Sequence, residues 1–197
     1  YHGQFDAQLK RSGKGRWEGG QGQTFEGQWK DDRFEGKGVY ATPGMTYEGG
    51  FKGGKREGHG CLVCANGDRY EGQFKANEFH GRGTHALGSG ASYHGQFERG
   101  KRHGFGSYTA ISNGRYSGEW LNGVRHGKGV QRDPEGSVYD GQWRNDAKHG
   151  EGRWEDARTG TVYEGQFARG VRCVSVSVRA TVTRVLTPPA GGASRVD

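Results

Sequence analysis

One pattern constrains what this chain can fold into: an aromatic, any residue, glycine, any residue and a second aromatic recur roughly every 23 residues. The motif stands as Tyr1-His-Gly-Gln-Phe5, Phe25-Glu-Gly-Gln-Trp29, Tyr47-Glu-Gly-Gly-Phe51 and Tyr70-Glu-Gly-Gln-Phe74. It returns as Tyr93-His-Gly-Gln-Phe97, Tyr116-Ser-Gly-Glu-Trp120, Tyr139-Asp-Gly-Gln-Trp143 and Tyr163-Glu-Gly-Gln-Phe167. Successive starts are 24, 22, 23, 23, 23, 23 and 24 residues apart. In seven units a Gly-x-Gly follows: Gly13/Gly15, Gly36/Gly38, Gly58/Gly60, Gly81/Gly83, Gly104/Gly106, Gly127/Gly129 and Gly150/Gly152. A fixed period of this length marks tandem supersecondary units, each too small to bury a core alone.

Each unit reads as a β-hairpin. Along the first strand both aromatics and the glycine share one face, while the intervening Glu and Gln point to the other. Turn signals follow at Gly53-Gly54, Arg99-Gly100, Asn122-Gly123 and Asn145-Asp146. The Gly-x-Gly strand comes next, with both glycines expected on one face and often an aromatic two residues on, as at Trp17, Tyr40, Tyr108 and Trp154. Pro43-Gly44, Asn66-Gly67, Asn113-Gly114 and Asp133-Pro134-Glu135-Gly136 then close units.

Glycine normally weakens strands. Here it makes room for a neighbouring aromatic ring to lie across the bare backbone. Leu, Ile, Val and Phe together supply only 28 of 197 residues, and 26% of the chain is charged, a balance that by itself suggests disorder. The 23 aromatics and 40 glycines in register argue against it. The expected architecture is all-β: an elongated single-layer antiparallel sheet held by rings on glycines.

These motifs resemble the MORN (membrane occupation and recognition nexus) repeat, with its Tyr-x-Gly-x-Trp/Phe, Asn-Gly and His-Gly-x-Gly elements. The resemblance covers 1–172, as seven hairpins starting near 1, 25, 47, 70, 93, 116 and 139 and a half-repeat at 163. It implies a rod or trough of about fifteen strands, roughly 70 Å long at the usual strand spacing. MORN arrays occur beside lipid kinase domains, in junctional membrane proteins, in radial spokes and in cytoskeletal scaffolds. The implied setting is therefore cytoplasmic, at the cytoskeleton, the cilium or the cytoplasmic face of a membrane.

After Tyr163 the pattern fades: Val174 and Val176 stand where Gly-x-Gly is expected. The divergent segment 173–197 reads either as a strand capping the last edge or as a tail without a folded partner, with its last ten residues disordered. The chain opens inside a repeat, at Tyr1, which reads as a segment of a longer protein. Three cysteines, Cys61, Cys64 and Cys173, are too few for a disulfide framework and suit a reducing compartment. No apolar run approaches a membrane span.

Two sets of residues are candidates for binding. His80, Arg102, His103, Arg125, His126, Lys148 and His149 recur in constant phase and are expected to form one line along an edge. Such a basic line suits acidic headgroups or an acidic peptide, and protonation would strengthen it. The structural alternative is that this histidine packs at the turn. The first repeats favour that alternative, since Ser12, Glu35 and Glu57 hold the position there. The second set is the ring-lined stripe of Phe25, Trp29, Tyr47, Phe51, Tyr70, Phe74, Tyr93, Phe97, Tyr116, Trp120, Tyr139 and Trp143, either an accessible groove or a core in which rings bury one another.

Cys61-x-x-Cys64 is not a metal site on a strand, because residues three apart point to opposite faces. The Gly-x-Gly units lack the context of a phosphate or dinucleotide loop. No nucleophile, base and acid stand out together. The sequence thus predicts no catalytic residues, no cofactor and no metal. It predicts a non-catalytic protein-interaction scaffold, able to pair end to end as a homodimer. The alternative is a membrane-apposed phospholipid-binding module attached to a lipid kinase domain outside this chain. The net charge of +7 fits an acidic partner. Nucleic acid is disfavoured because the rings needed for base stacking are committed to glycine.

Overall fold

The computed structural model describes residues 1–173. The expected capping strand or tail over 174–197 lies outside the described residues. Among the described residues, sixteen strands form one antiparallel sheet whose spatial order is the chain order. They are β1 (His2–Phe5), β2 (Arg11–Glu18), β3 (Thr24–Lys30), β4 (Arg33–Thr42), β5 (Met45–Lys52), β6 (Lys55–Cys64), β7 (Arg69–Lys75) and β8 (Glu78–Ala86). β9 (Ser92–Glu98), β10 (Lys101–Thr109), β11 (Arg115–Leu121), β12 (Val124–Arg132), β13 (Val138–Arg144), β14 (Ala147–Glu155), β15 (Val162–Ala168) and β16 (Val171–Arg172) complete it. The expected half-repeat is β15 followed by the two-residue β16.

A row of glycines runs across the sheet at right angles to the strands. Gly3 pairs Gly15, Gly15 pairs Gly27, and Gly27 pairs Gly38. The row continues without interruption through Gly49, Gly60, Gly72, Gly83, Gly95, Gly106, Gly118, Gly129, Gly141 and Gly152 to Gly165. The first aromatic of each full repeat lies over two members of this row. A Cβ at Gly83 would stand 2.6 Å from Cζ of Tyr70, and one at Gly129 would stand 2.6 Å from Cζ of Tyr116. Its hydroxyl then donates to the backbone carbonyl three residues on, as in Tyr70 to Gln73 at 2.9 Å and Tyr139 to Gln142 at 2.8 Å. Phe25 does without that bond.

The two rings of each aromatic-x-Gly-x-aromatic motif meet edge to face. Tyr116 meets Trp120 of its own repeat at 5.2 Å between centroids and Trp143 of the next at 5.3 Å, with planes 89° and 85° apart. This is the arrangement aromatic quadrupoles prefer, each pair adding about 0.5–1.5 kcal/mol beyond area burial. The same ladder carries through Tyr47–Phe74, Tyr70–Phe97, Tyr93–Trp120 and Tyr139–Phe167. Where the second aromatic is Trp, its indole N–H reaches back to a glycine-row carbonyl: Trp29 to Gly15 at 3.1 Å, Trp120 to Gly106 at 3.1 Å and Trp143 to Gly129 at 2.9 Å.

The two glycines of Gly-x-Gly have different roles. The second belongs to the row. The first has φ between +57° and +72° in the seven full repeats and makes a bulge. On passing from Gly118 to Glu119, for example, the partner moves from Gly129 to His126. The bulge takes a backbone N–H out of the ladder, and the Gln of Tyr-x-Gly-Gln-Phe supplies the missing acceptor. Gln96 Oε1 receives the Phe105 N–H at 2.9 Å, and Glu119 Oε1 receives that of Lys128 at 2.8 Å. Facing the next repeat the strand is regular, Gly127 opposing Trp143 and Gly129 opposing Gly141.

Candidate functional site

The ring-bearing face is closed apart from a pocket of about 360 Å³ beside Arg102, Tyr108, Tyr116, Trp120 and Arg125. The twelve candidate aromatics, from Phe25 to Trp143, are each between 0% and 6% exposed. Their carbon surface is core, and the carbonyl-bound hydroxyls lie within it. Burial pushes the phenol pKa of Tyr47, Tyr70, Tyr93, Tyr116 and Tyr139 up to about 12.

What covers these rings is a second row that sequence reasoning had assigned to a solvent-facing edge. Arg102 lies over Trp120 at 4.3 Å, Arg125 over Trp143 at 4.2 Å, and the Lys148 ammonium over Tyr139 at 4.9 Å. In other repeats the same place is held by Arg11, Arg56 and Arg172 over rings, or by Phe34 and Phe79, stacked on Phe25 and Tyr70 at 3.8 and 3.7 Å. A planar cation and a phenyl ring are interchangeable here because both present a flat, weakly hydrated face to the ring below. Burial lowers the pKa of Arg56 and of Lys148.

The next repeat's turn clamps the arginines. Arg125 donates through Nε to Asp146 Oδ1 at 3.0 Å and through NH2 to the Asp146 carbonyl at 2.8 Å. Arg11 treats Asp32 in the same way, and its hydrogen bonds hold the Asp32 carboxyl below the usual carboxylate range. Arg56 donates to Asn77, and Arg102 to the Gly123 carbonyl.

The histidines are on the opposite face, so the expected single basic line divides in two. Arg102 pairs Phe97 on the ring face, while His103 pairs Gln96 on the polar face. His80, His126 and His149 oppose Gln73, Glu119 and Gln142 likewise. Neighbours in a strand alternate sides, which a line drawn through sequence positions does not show. His103 Nε2 lies 3.4 Å from Glu98 Oε2, and the Nδ1 atoms of His103 and His126 are enclosed without a partner among the described residues. In the early repeats the corresponding Glu35 and Glu57 accept turn N–H groups from the next repeat, Gly53 and Ala76, at 2.8 and 2.9 Å.

A larger concavity is on this polar face, at the N-terminal end. A cavity of about 1280 Å³ runs over the glycine row from β1 to β7, lined among others by Lys14, Glu26, Lys37, Glu48, His59 and Glu71. The glycine backbone is its floor. On one side stand Glu26, Glu48 and Glu71, with Val39 and Cys61 between them in register. On the other stand Lys14, Lys37 and His59. This surface is not among the sites expected from the sequence. Its signal was available in the charges at the positions alternating with Tyr, Gly and Phe. Cys61 belongs to this face, whereas Cys64 packs against the core, and all three cysteines are free.

A one-layer sheet of chain-ordered hairpins, each fastened to the next by ring, arginine and turn, defines a linear hairpin-repeat protein. The MORN repeat family matches residues 25–43, 47–69, 70–92, 93–115, 116–138, 139–157 and 163–175. The chain belongs to that family, whose repeats engage protein or membrane-lipid partners. The first hairpin, outside the matched segments, continues the same glycine row. No curated protein matches this chain. Among the described residues no helix is long and apolar enough to cross a membrane.

Proposed function

We propose that the array is a non-catalytic protein-interaction scaffold that seats a partner segment in the polar trough over β1–β7. One observation carries this reading: the larger concavity is mixed in charge, with its bare glycine floor flanked by carboxylates and cations. The scaffold would work in the cytoplasm, at the cytoskeleton, the cilium or a membrane face, and end-to-end pairing of two copies would lengthen it.

The second reading is a phospholipid-binding module, including one joined to a lipid kinase domain outside this chain, and the net charge of +7 favours it. Affinity capture from cell extract, with and without detergent, separates the two when run beside flotation on phosphoinositide vesicles. The scaffold reading expects detergent-resistant capture that is lost in Lys37→Glu/Glu48→Lys. It fails if capture vanishes in detergent or if that variant captures the same proteins. Charge reversal at Arg102, Arg125 or Lys148 would disturb the fold instead, since each covers a core ring.

A further inference from the structure

At the outer border of the polar face, beside the turns that join β3 to β4 and β5 to β6, cations face cations. Lys30 is paired directly with Arg33, and Lys52 with Lys55. Lys75 extends the line on β7. All five side chains are exposed. Among the described residues none of the five is in an ion pair or over an aromatic ring, unlike Arg11, Arg56, Arg102 and Arg125 one position further on. Like charges directly opposite on adjacent strands destabilise a sheet. The later hairpins avoid this at the same place, pairing Lys75 with Glu78, Glu98 with Lys101, Leu121 with Val124 and Arg144 with Ala147. Among the described residues, only the β3–β4 and β5–β6 hairpins set a cation directly opposite a cation at this place.

We infer that Lys30, Arg33, Lys52, Lys55 and Lys75 form a docking line for an acidic segment of a partner protein. The inference rests on the scaffold reading and gives it a chemistry. Five cations on five successive strands make a line of roughly 19 Å, the span of about six residues of extended chain. Carboxylates favour a narrow segment over a broad anionic surface. Glu35 and Glu57 stand just inside the line, each tied to a turn N–H. Glu26 and Glu48 stand across the glycine floor. A flat anionic membrane laid on this face meets both signs, whereas a single peptide strand along the border meets the five cations, with Asp31 and Asp32 paired to Lys10 and Arg11 and only Glu78 opposite Lys75. A nucleic-acid strand would lack bases' usual stacking platform, since the rings are buried on the other face.

The test uses the whole chain and three probes: a labelled dodecapeptide of alternating Glu and Ser, a 12-nucleotide single-stranded DNA, and vesicles of phosphatidylcholine with phosphatidylserine. Lys30→Glu/Lys52→Glu turns both repulsive pairs into attractive ones. It is expected to raise the unfolding temperature by about 2 °C while weakening peptide binding at least tenfold. Lys128→Glu/Arg144→Glu, the same change of net charge on the polar face of the later repeats, is expected to weaken binding less than threefold. Equal weakening by both variants means a response to net charge alone and overturns the inference. So does vesicle or DNA binding tighter than peptide binding and lost in the same border variant. If Lys37→Glu/Glu48→Lys leaves capture intact while the border variant loses the peptide, the trough reading falls and the docking line stands.

Discussion

A Cβ added to Gly83 runs into the buried Tyr70 ring, so the glycine row cannot yield there without moving a core ring. Gly83→Ala is expected to cost about 1–3 kcal/mol of stability, as overpacked cores do, read from the urea midpoint. Ala76 is the opposite case. It sits at φ +51° in a turn where other repeats use Asn122 or Asn145. An Asn tolerates that conformation better, so Ala76→Asn should stabilise by about 0.5–1 kcal/mol in the same assay. The tyrosines set the alkaline limit. A phenol whose folded pKa exceeds its ordinary value near 10 stays protonated longer in the folded chain. Its contribution is therefore whole below pH 10 and lost as pH rises toward about 12. Circular dichroism should show cooperative unfolding in that interval. Tyr70→Phe/Tyr93→Phe should flatten it while losing about 1 kcal/mol per hydroxyl bond at neutral pH. Phe25 shows that the site accepts the smaller group.

The hairpin as an element was visible in the sequence, but its internal bookkeeping was not. Seven two-residue turns have positive φ at both positions, as type I′ hairpins require, including Asp31-Asp32, Ala76-Asn77 and Arg169-Gly170, which carry weaker turn signals. Their constant distance from the preceding Trp or Phe was the clue. Differences in repeat length are absorbed entirely in loops: the short unit closes through Pro43-Gly44, and the last long one widens over Asp156–Thr161. The glycine row thereby stays in phase. The element also depends on its clamp. Arg125→Phe keeps a flat group on Trp143, as Phe34 and Phe79 do on their rings, and should stay within about 1 kcal/mol of the parent. Arg125→Ala uncovers the ring and leaves Asp146 without its partner, and should cost about 2 kcal/mol. Thermal melts of the two variants decide between a stacking role and a charge role.

Among the described residues each strand pairs only with its chain neighbours, so the array behaves as a one-dimensional stack. Removing 93–115 joins Gly83 to Gly118 across the deletion, with ring, bulge and clamp in phase. The shortened chain is expected to fold and to lose about 10 Å in length by small-angle scattering. A single residue inserted after Gly118 instead turns the remainder of its strand over, exposing Trp120. It should abolish the cooperative melt of that hairpin.

The sequence alone determined the repeat, its hairpin form and the seating of rings on glycine, because each follows from spacings within about 23 residues. It could not assign the Arg-His pairs to their faces. Arg102 and His103 are adjacent in the chain, yet one seals the core and the other stands on the polar face. Nor could it separate the bulge glycine from the row glycine, or find the acceptor that Gln96 supplies. Those outcomes depend on the register between strands, where a shift of one residue reverses every side chain. Register emerges only when neighbouring hairpins lie side by side. It leaves cations stacked on rings along most of the array and unshared at the border of the trough.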